Sequence, residues 1–139
     1  MKLLINIDVP ALAPAIHFYT EALGLEFTRQ LDDDVAELSG TSCKLYLLRN
    51  SQASPAIPRM SINRDYARHW TPIHLDFVVD NLNEAAQRAL AAGAQQENAC
   101  VEWRGSRCIT FSDPFGHGFC LIEFDAHSYL EDDGLHPNG

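Results

Sequence analysis

No stretch of the 139 residues sustains the roughly 20 consecutive apolar side chains of a bilayer-spanning helix, so no transmembrane segment is predicted. The opening MKLLINIDVP reaches Pro10 before the apolar core of a signal peptide can form, and the expectation is a cytoplasmic protein. Basic side chains are scarce. Ten Lys and Arg face 19 Asp and Glu, and a formal net charge of −9 repels phosphate backbones and anionic membrane surfaces. Nucleic acid and membranes are therefore not expected as partners. Paired cysteines are also missing. Cys43, Cys100, Cys108 and Cys120 lie far apart with no C-x-x-C spacing, which excludes a zinc knuckle and a dithiol redox motif and leaves mostly buried thiols.

What remains is a chain with 46% hydrophobic residues, enough for one compact domain or two small modules sharing a core. Leu3 to Val9 is short and rich in strand formers, and Pro10 ends it. Pro14 suits the first position of a helix, on which Ala15, Phe18, Tyr19, Ala22 and Leu23 form an apolar stripe that Gly24 stops. Glu26 to Leu31, Val35 to Leu38 and Cys43 to Arg49 read as three strands, separated by turns at Asp32-Asp33-Asp34 and Ser39-Gly40. Asn50 to Thr71 loses all periodicity and reads as a connector with one helical turn, a candidate lid. The grammar then restarts. A strand Ile73 to Val79 leads through an Asp80 cap into a helix with Leu82, Ala85, Ala86, Ala89 and Leu90 inward, ended by Gly93. Strands near Gln95 to Trp103, Arg107 to Ser112 and Phe119 to Phe124 complete it. An offset of 70 residues places Leu82 on Leu12 and His74 on Leu4, an internal duplication of pattern. The division is residues 1–50, a connector 51–71, residues 72–125, and an acidic tail 126–139 in which His127 and His136 are expected to be solvated or disordered.

The segment FYTEALGLEF at Phe18 to Phe27, the second half's HLDFVVDNLNEAAQRALAAGA and the turn Asp113-Pro-Phe-Gly116 together resemble the vicinal oxygen chelate superfamily of glyoxalases, bleomycin resistance proteins and extradiol dioxygenases. The resemblance covers residues 2 to 124. It implies an α+β fold of two βαβββ modules whose mixed sheets curl around a cleft, and a homodimer, with the pairing of modules within or between chains left open. The motifs also have plain structural readings. FYTEALGL is core packing and a helix stop, and DPFG is a type I turn that sets up the last strand.

Metal-dependent members resemble one another in using four strand positions filled by His, Glu or Gln. Matched by the internal symmetry and by the DPFG glycine, these become Leu4, Tyr46, His74 and Cys120. That set has one good ligand, whereas a catalytic zinc or iron normally has three plus an open position. Glu123 lies an odd number of residues from Cys120 and points to the opposite face. No cofactor is expected, and a divalent metal is the alternative. His74 and Asp76 share one strand face, as a hydrogen-bonded structural pair or as a recognition group and general base. Asn6 and Asp8 share the face of Leu4, and Lys44 and Leu48 that of Tyr46. The expected ligand-binding set is Asn6, Tyr46, His74, Asp76, Trp103 and Cys120, with Trp70 as a further aromatic wall. His17 is expected in solvent, and His117 at the mouth of the last strand. Three functions compete: a metal-free binder of a small organic molecule, aromatic or, given the acidic charge, cationic; a metal-dependent lyase, isomerase or dioxygenase; and a non-catalytic interaction module.

Overall fold

The computed structural model describes residues 1–130. Alternation in β1 (Leu4–Val9) turns Ile5, Ile7 and Val9 toward the core. Helix α1 (Leu12–Leu23) starts two residues before Pro14, with Ala11 in extended backbone as its N-cap. Pro14 thus sits in the first turn but not at its first position, where its missing N–H still has no intrahelical acceptor to lose. Gly24 ends the helix in the left-handed region, at φ 69°, donating its N–H to the Thr20 carbonyl at 3.0 Å. Strands β2 (Glu26–Asp32), β3 (Val35–Ser39) and β4 (Lys44–Arg49) follow, and the sheet order is β1-β4-β3-β2 with β1 parallel to β4.

The second half repeats this plan with β5 (Leu75–Val78), α2 (Leu82–Ala91), β6 (Gln95–Gln96), β7 (Val101–Trp103), β8 (Ser106–Ser112) and β9 (Gly118–Phe124). Its order is β5-β9-β8-β6, β7 pairs on β8, and β5 runs parallel to β9. Four expectations are corrected. The strand foreseen from Ile73 begins at Leu75, because the ladder starts only where Phe119 supplies a partner. The cap of α2 is Asn81, whose side chain accepts the Glu84 N–H at 3.1 Å, and not Asp80. Leu90, expected on the inner stripe of α2, is exposed. The single strand from Gln95 to Trp103 is broken at Asn98, whose carboxamide replaces strand pairing by accepting the Thr110 N–H at 2.9 Å.

The connector holds no helical turn. Pro55 and Pro58 remove donors and restrict their predecessors, and the backbone instead makes one bridge between Pro55 and Asn63. It is strapped to both halves through Arg64 to Asp8 at 2.7 Å and Arg68 to Glu97 at 2.8 Å. No helix among the described residues is long and apolar enough to cross a membrane.

Both helices pack on one side of the sheets, and the two halves meet there. Phe18 of α1 lies edge-on to Phe115 and Phe119 of the second half, at 6.4 and 6.3 Å between centroids. Beside it the buried Tyr19 hydroxyl donates to the Asp113 carboxylate at 2.5 Å. Burial first, and then the neighbouring carboxylate, push the Tyr19 hydroxyl well above its ordinary value, so it remains the donor. The other Asp113 oxygen accepts the N–H groups of Phe115 and His117, both at 2.8 Å. Gly116 completes the turn at φ 89°, and a β-carbon there would collide with the Tyr66 carbonyl oxygen. Replacing Tyr19 by Phe strands a buried carboxylate oxygen, and urea denaturation should show a loss of about 1–3 kcal/mol. An unchanged midpoint would contradict the role given to this bond.

Candidate functional site

The period-two alternation that buries Ala36, Leu38, Leu45 and Leu47 beneath the helices sends their neighbours to the opposite, open face of the sheet. On the first sheet this face carries Leu4, Asn6, Asp8, Glu37, Lys44, Tyr46 and Leu48, with Asn6 opposite Tyr46 and Glu37 opposite Tyr46 from the other side. On the second it carries Asp76, Cys108, Thr110, Cys120 and Ile122, with Asp76 opposite Cys120. The pairs Asn6–Tyr46 and Asp76–Cys120 therefore hold equivalent places in the two halves.

Glu37 is the most constrained group on the first face. Its residue is 1% exposed, and its carboxylate accepts from Arg29 Nε at 2.6 Å, Lys44 Nζ at 2.9 Å, and the hydroxyls of Tyr46 at 3.0 Å and Thr28 at 3.3 Å. The Arg29 and Lys44 hydrogen bonds outweigh the cost of desolvation and hold the carboxyl at about 2. Donation to Glu37 raises the Tyr46 hydroxyl in turn.

On the second face His74 Nε2 lies 3.3 Å from an Asp76 carboxylate oxygen, and one donor atom each from His74, Asp76 and Cys120 lie within 4.8 Å of one another. His74 and Asp76 are exposed and Cys120 is buried. The Cys120 sulfur is 3.4 Å from the Thr110 hydroxyl. Burial raises the Cys120 thiol, and it pushes neighbouring Cys108 up to about 12, with the adjacent Cys120 adding to the shift. Imidazole, carboxylate and thiol are the donors on this face that could hold an ion. The four-position set is nevertheless incomplete. Leu4 has no donor atom, the Tyr46 hydroxyl is committed to Glu37, and the carboxylate of Glu37 already carries two cations.

The expected site residues are thus gathered in two groups, Asn6 and Tyr46 on one sheet and His74, Asp76 and Cys120 on the other. Asn6 and His74 also line a groove of about 400 Å³ between the β1 and β5 edges, floored by Tyr19, Phe77 and Phe119. Trp103 stands apart. It is half-exposed on β7, packed against Tyr129 at 5.2 Å between ring centroids, with Arg104 over its ring. Tyr129 also meets Phe124 edge-on at 5.0 Å and Ser128 is fully buried, so the start of the expected solvated tail, through Tyr129, folds back on the second sheet. His127 is exposed, and His136 lies outside the described residues. Trp70 is exposed, His17 is exposed as expected, and Glu123 accepts the Leu82 N–H at 2.7 Å on the helical side. His117 does more than mark a strand mouth, because its Nε2 reaches the Asp8 carbonyl of the first half at 2.6 Å.

Residues 4–122 match the family described as a glyoxalase-like domain, and the chain belongs to that family. Solved structures show the same fold. The fosfomycin resistance protein FosX from Listeria monocytogenes superposes with a TM-score of 0.68 at 17% identity, over 91% of this chain and 94% of that one. A lactoylglutathione lyase from Agrobacterium tumefaciens gives 0.62 at 23% identity, over 88% and 92%. A glyoxalase/bleomycin resistance protein/dioxygenase family enzyme from Burkholderia phytofirmans gives 0.68 at 17%, over 88% and 97%. A search of curated proteins returns no match. At these identities the neighbours establish the α+β glyoxalase fold and not an activity.

Glu37 and Arg29 were not among the expected site residues. The signal was present: once Ser39-Gly40 turns the chain between strands, alternation puts Glu37 on the same face as Lys44 and Tyr46. Cys108 and Thr110 were equally legible from alternation in the strand beside Cys120. Because the folded Glu37 carboxyl lies at about 2 and an ordinary one at 4.5, its stabilisation is complete above pH 4.5 and is lost as pH falls toward 2. In urea titrations the native protein should lose stability more steeply than Glu37→Gln across that window, and parallel slopes would contradict the assignment.

Proposed function

We propose that this glyoxalase-like protein binds a small organic molecule against the open faces of its sheets, without an ion held by the four-position set. The observation that carries this reading is the state of the first face. Leu4 supplies no ligand atom, and Tyr46 and Glu37 are bound to each other and to two cations, an arrangement that repels a further cation. Polar anchors beside aromatic rings, Asn6 and His74 with Tyr19, Phe77 and Phe119 around one groove, are the mixture that suits recognition of an organic ligand.

A second reading is a metal-dependent lyase, isomerase or dioxygenase, favoured by the convergence of His74, Asp76 and Cys120. An ion held there would polarise ligand oxygens. We further propose a homodimer, because Leu4, Ile73, Val78, Val101 and Trp103 are exposed apolar side chains on or beside the strands that bear the site. Sedimentation equilibrium tests it.

Metal analysis of protein purified without chelator should find far less than one equivalent of any transition ion, and EDTA should leave the melting temperature unchanged. A near-equivalent ion whose removal lowers the melting temperature would replace the first reading by the second. A screen of aromatic ligands should give hits of about millimolar affinity or tighter. Those hits should be weakened by His74→Ala in a variant that folds normally.

A further inference from the structure

The net charge of −9 favours a cationic ligand, and the local arrangement favours the opposite. Every other Arg or Lys ion pair among the described residues matches one cation with one carboxylate: Arg49 with Asp34, Arg64 with Asp8, Arg68 with Glu97 and Arg107 with Glu123. At Glu37 two cations share one carboxylate. The group therefore carries one surplus positive charge.

The donors left over face outward. Arg29 meets Glu37 through Nε at 2.6 Å, and its two Nη groups make no hydrogen bond among the described residues, while its side chain is 63% exposed. Lys44 gives one of its three N–H bonds to Glu37 and is 52% exposed. Glu37 itself is 2% exposed in its side chain, so an incoming group meets the cations and not the carboxylate. Two long cationic side chains that would otherwise wander are held side by side by one carboxylate, which lowers the ordering cost of binding. A guanidinium edge beside an ammonium matches an oxyanion that accepts several charge-assisted hydrogen bonds.

From this geometry we infer that Arg29 and Lys44, positioned by Glu37, form a docking point for the carboxylate or phosphonate group of an organic acid on the open face of the first sheet. The inference rests on the proposed small-molecule function and assigns its ligand the anionic class. Glu37 acts as a positioning residue, and Arg29 and Lys44 make the contacts.

The test uses two aromatic probes of opposite charge, phenylphosphonate and phenyltrimethylammonium, titrated into the full chain by calorimetry and by amide chemical shifts. Phenylphosphonate should bind the more tightly, should weaken as salt is raised, and should weaken about tenfold or more in Lys44→Met and in Arg29→Gln. Lys44→Arg, which keeps the charge, should retain most of the affinity, and Arg49→Gln, a surface cation elsewhere, should bind as the native chain does. Circular dichroism establishes that each variant is folded. Should Arg29→Gln unfold, the Lys44 pair decides the matter alone. Preference for phenyltrimethylammonium, or equal phenylphosphonate affinity in Lys44→Met, overturns this inference while leaving the small-molecule reading in place. If neither probe moves any resonance of the open faces, both fall.

Discussion

The buried hydrogen bond from Tyr19 to Asp113 ties the two halves of the molecule together at the point where each is least able to adjust. Tyr19 belongs to the first helix, and Asp113 organises the turn that launches the last strand. That strand is the inner partner of β5, so a shift at Asp113 would move Cys120 against Asp76. Phe18, one residue away, presses on Phe115 and Phe119. A carboxylate in this position tolerates burial because both its oxygens are satisfied, two backbone donors on one and a phenol on the other. The turn, the helix and the strand register thus stand or fall together.

With register fixed in this way, the side-chain period of two divides the chemistry cleanly. One face of each sheet is packed beneath the helices by Leu, Ala and Phe, and the other collects the ionisable groups. The halves have diverged on that second face. Equivalent strand positions hold Asn6 and Tyr46 in one and Asp76 and Cys120 in the other, and the first sheet has become an ionic network around Glu37 while the second carries imidazole, carboxylate and thiols. A duplicated backbone supports two different surfaces because the core face alone is required for folding.

Much of this was legible beforehand. The apolar stripe of α1, the two glycine stops, the repeat at 70 residues and the DPFG turn all express backbone and packing demands that leave marks within a few adjacent residues. The misplaced features have a different origin. Asn98 broke a strand by binding Thr110 and β5 started late because its partner did, each decided by a residue from elsewhere in the chain, whereas Asn81 took the cap from Asp80 locally, because its side chain meets the Glu84 N–H. Alternation put Asn6, Tyr46, Asp76 and Cys120 on the open faces, as the strand register does, but it could not say that Tyr46 would be bound by a carboxylate from the next strand. The start of the tail was read as solvated from its charge, although Ser128 and Tyr129 precede the acidic run and pack.

The proposed function puts the ligand on the open faces and not on the helical side. Besides the groove between β1 and β5, a larger one of about 690 Å³ runs along the end of α1 and the start of α2, lined by Ala22, Asn81, Glu84 and Arg88. Amide chemical-shift mapping with the tightest-binding hit from a ligand screen separates these surfaces. The largest shifts should fall on Glu37, Tyr46, Thr110 and Cys120. Shifts confined to Ala22, Asn81, Glu84 and Arg88 would contradict it.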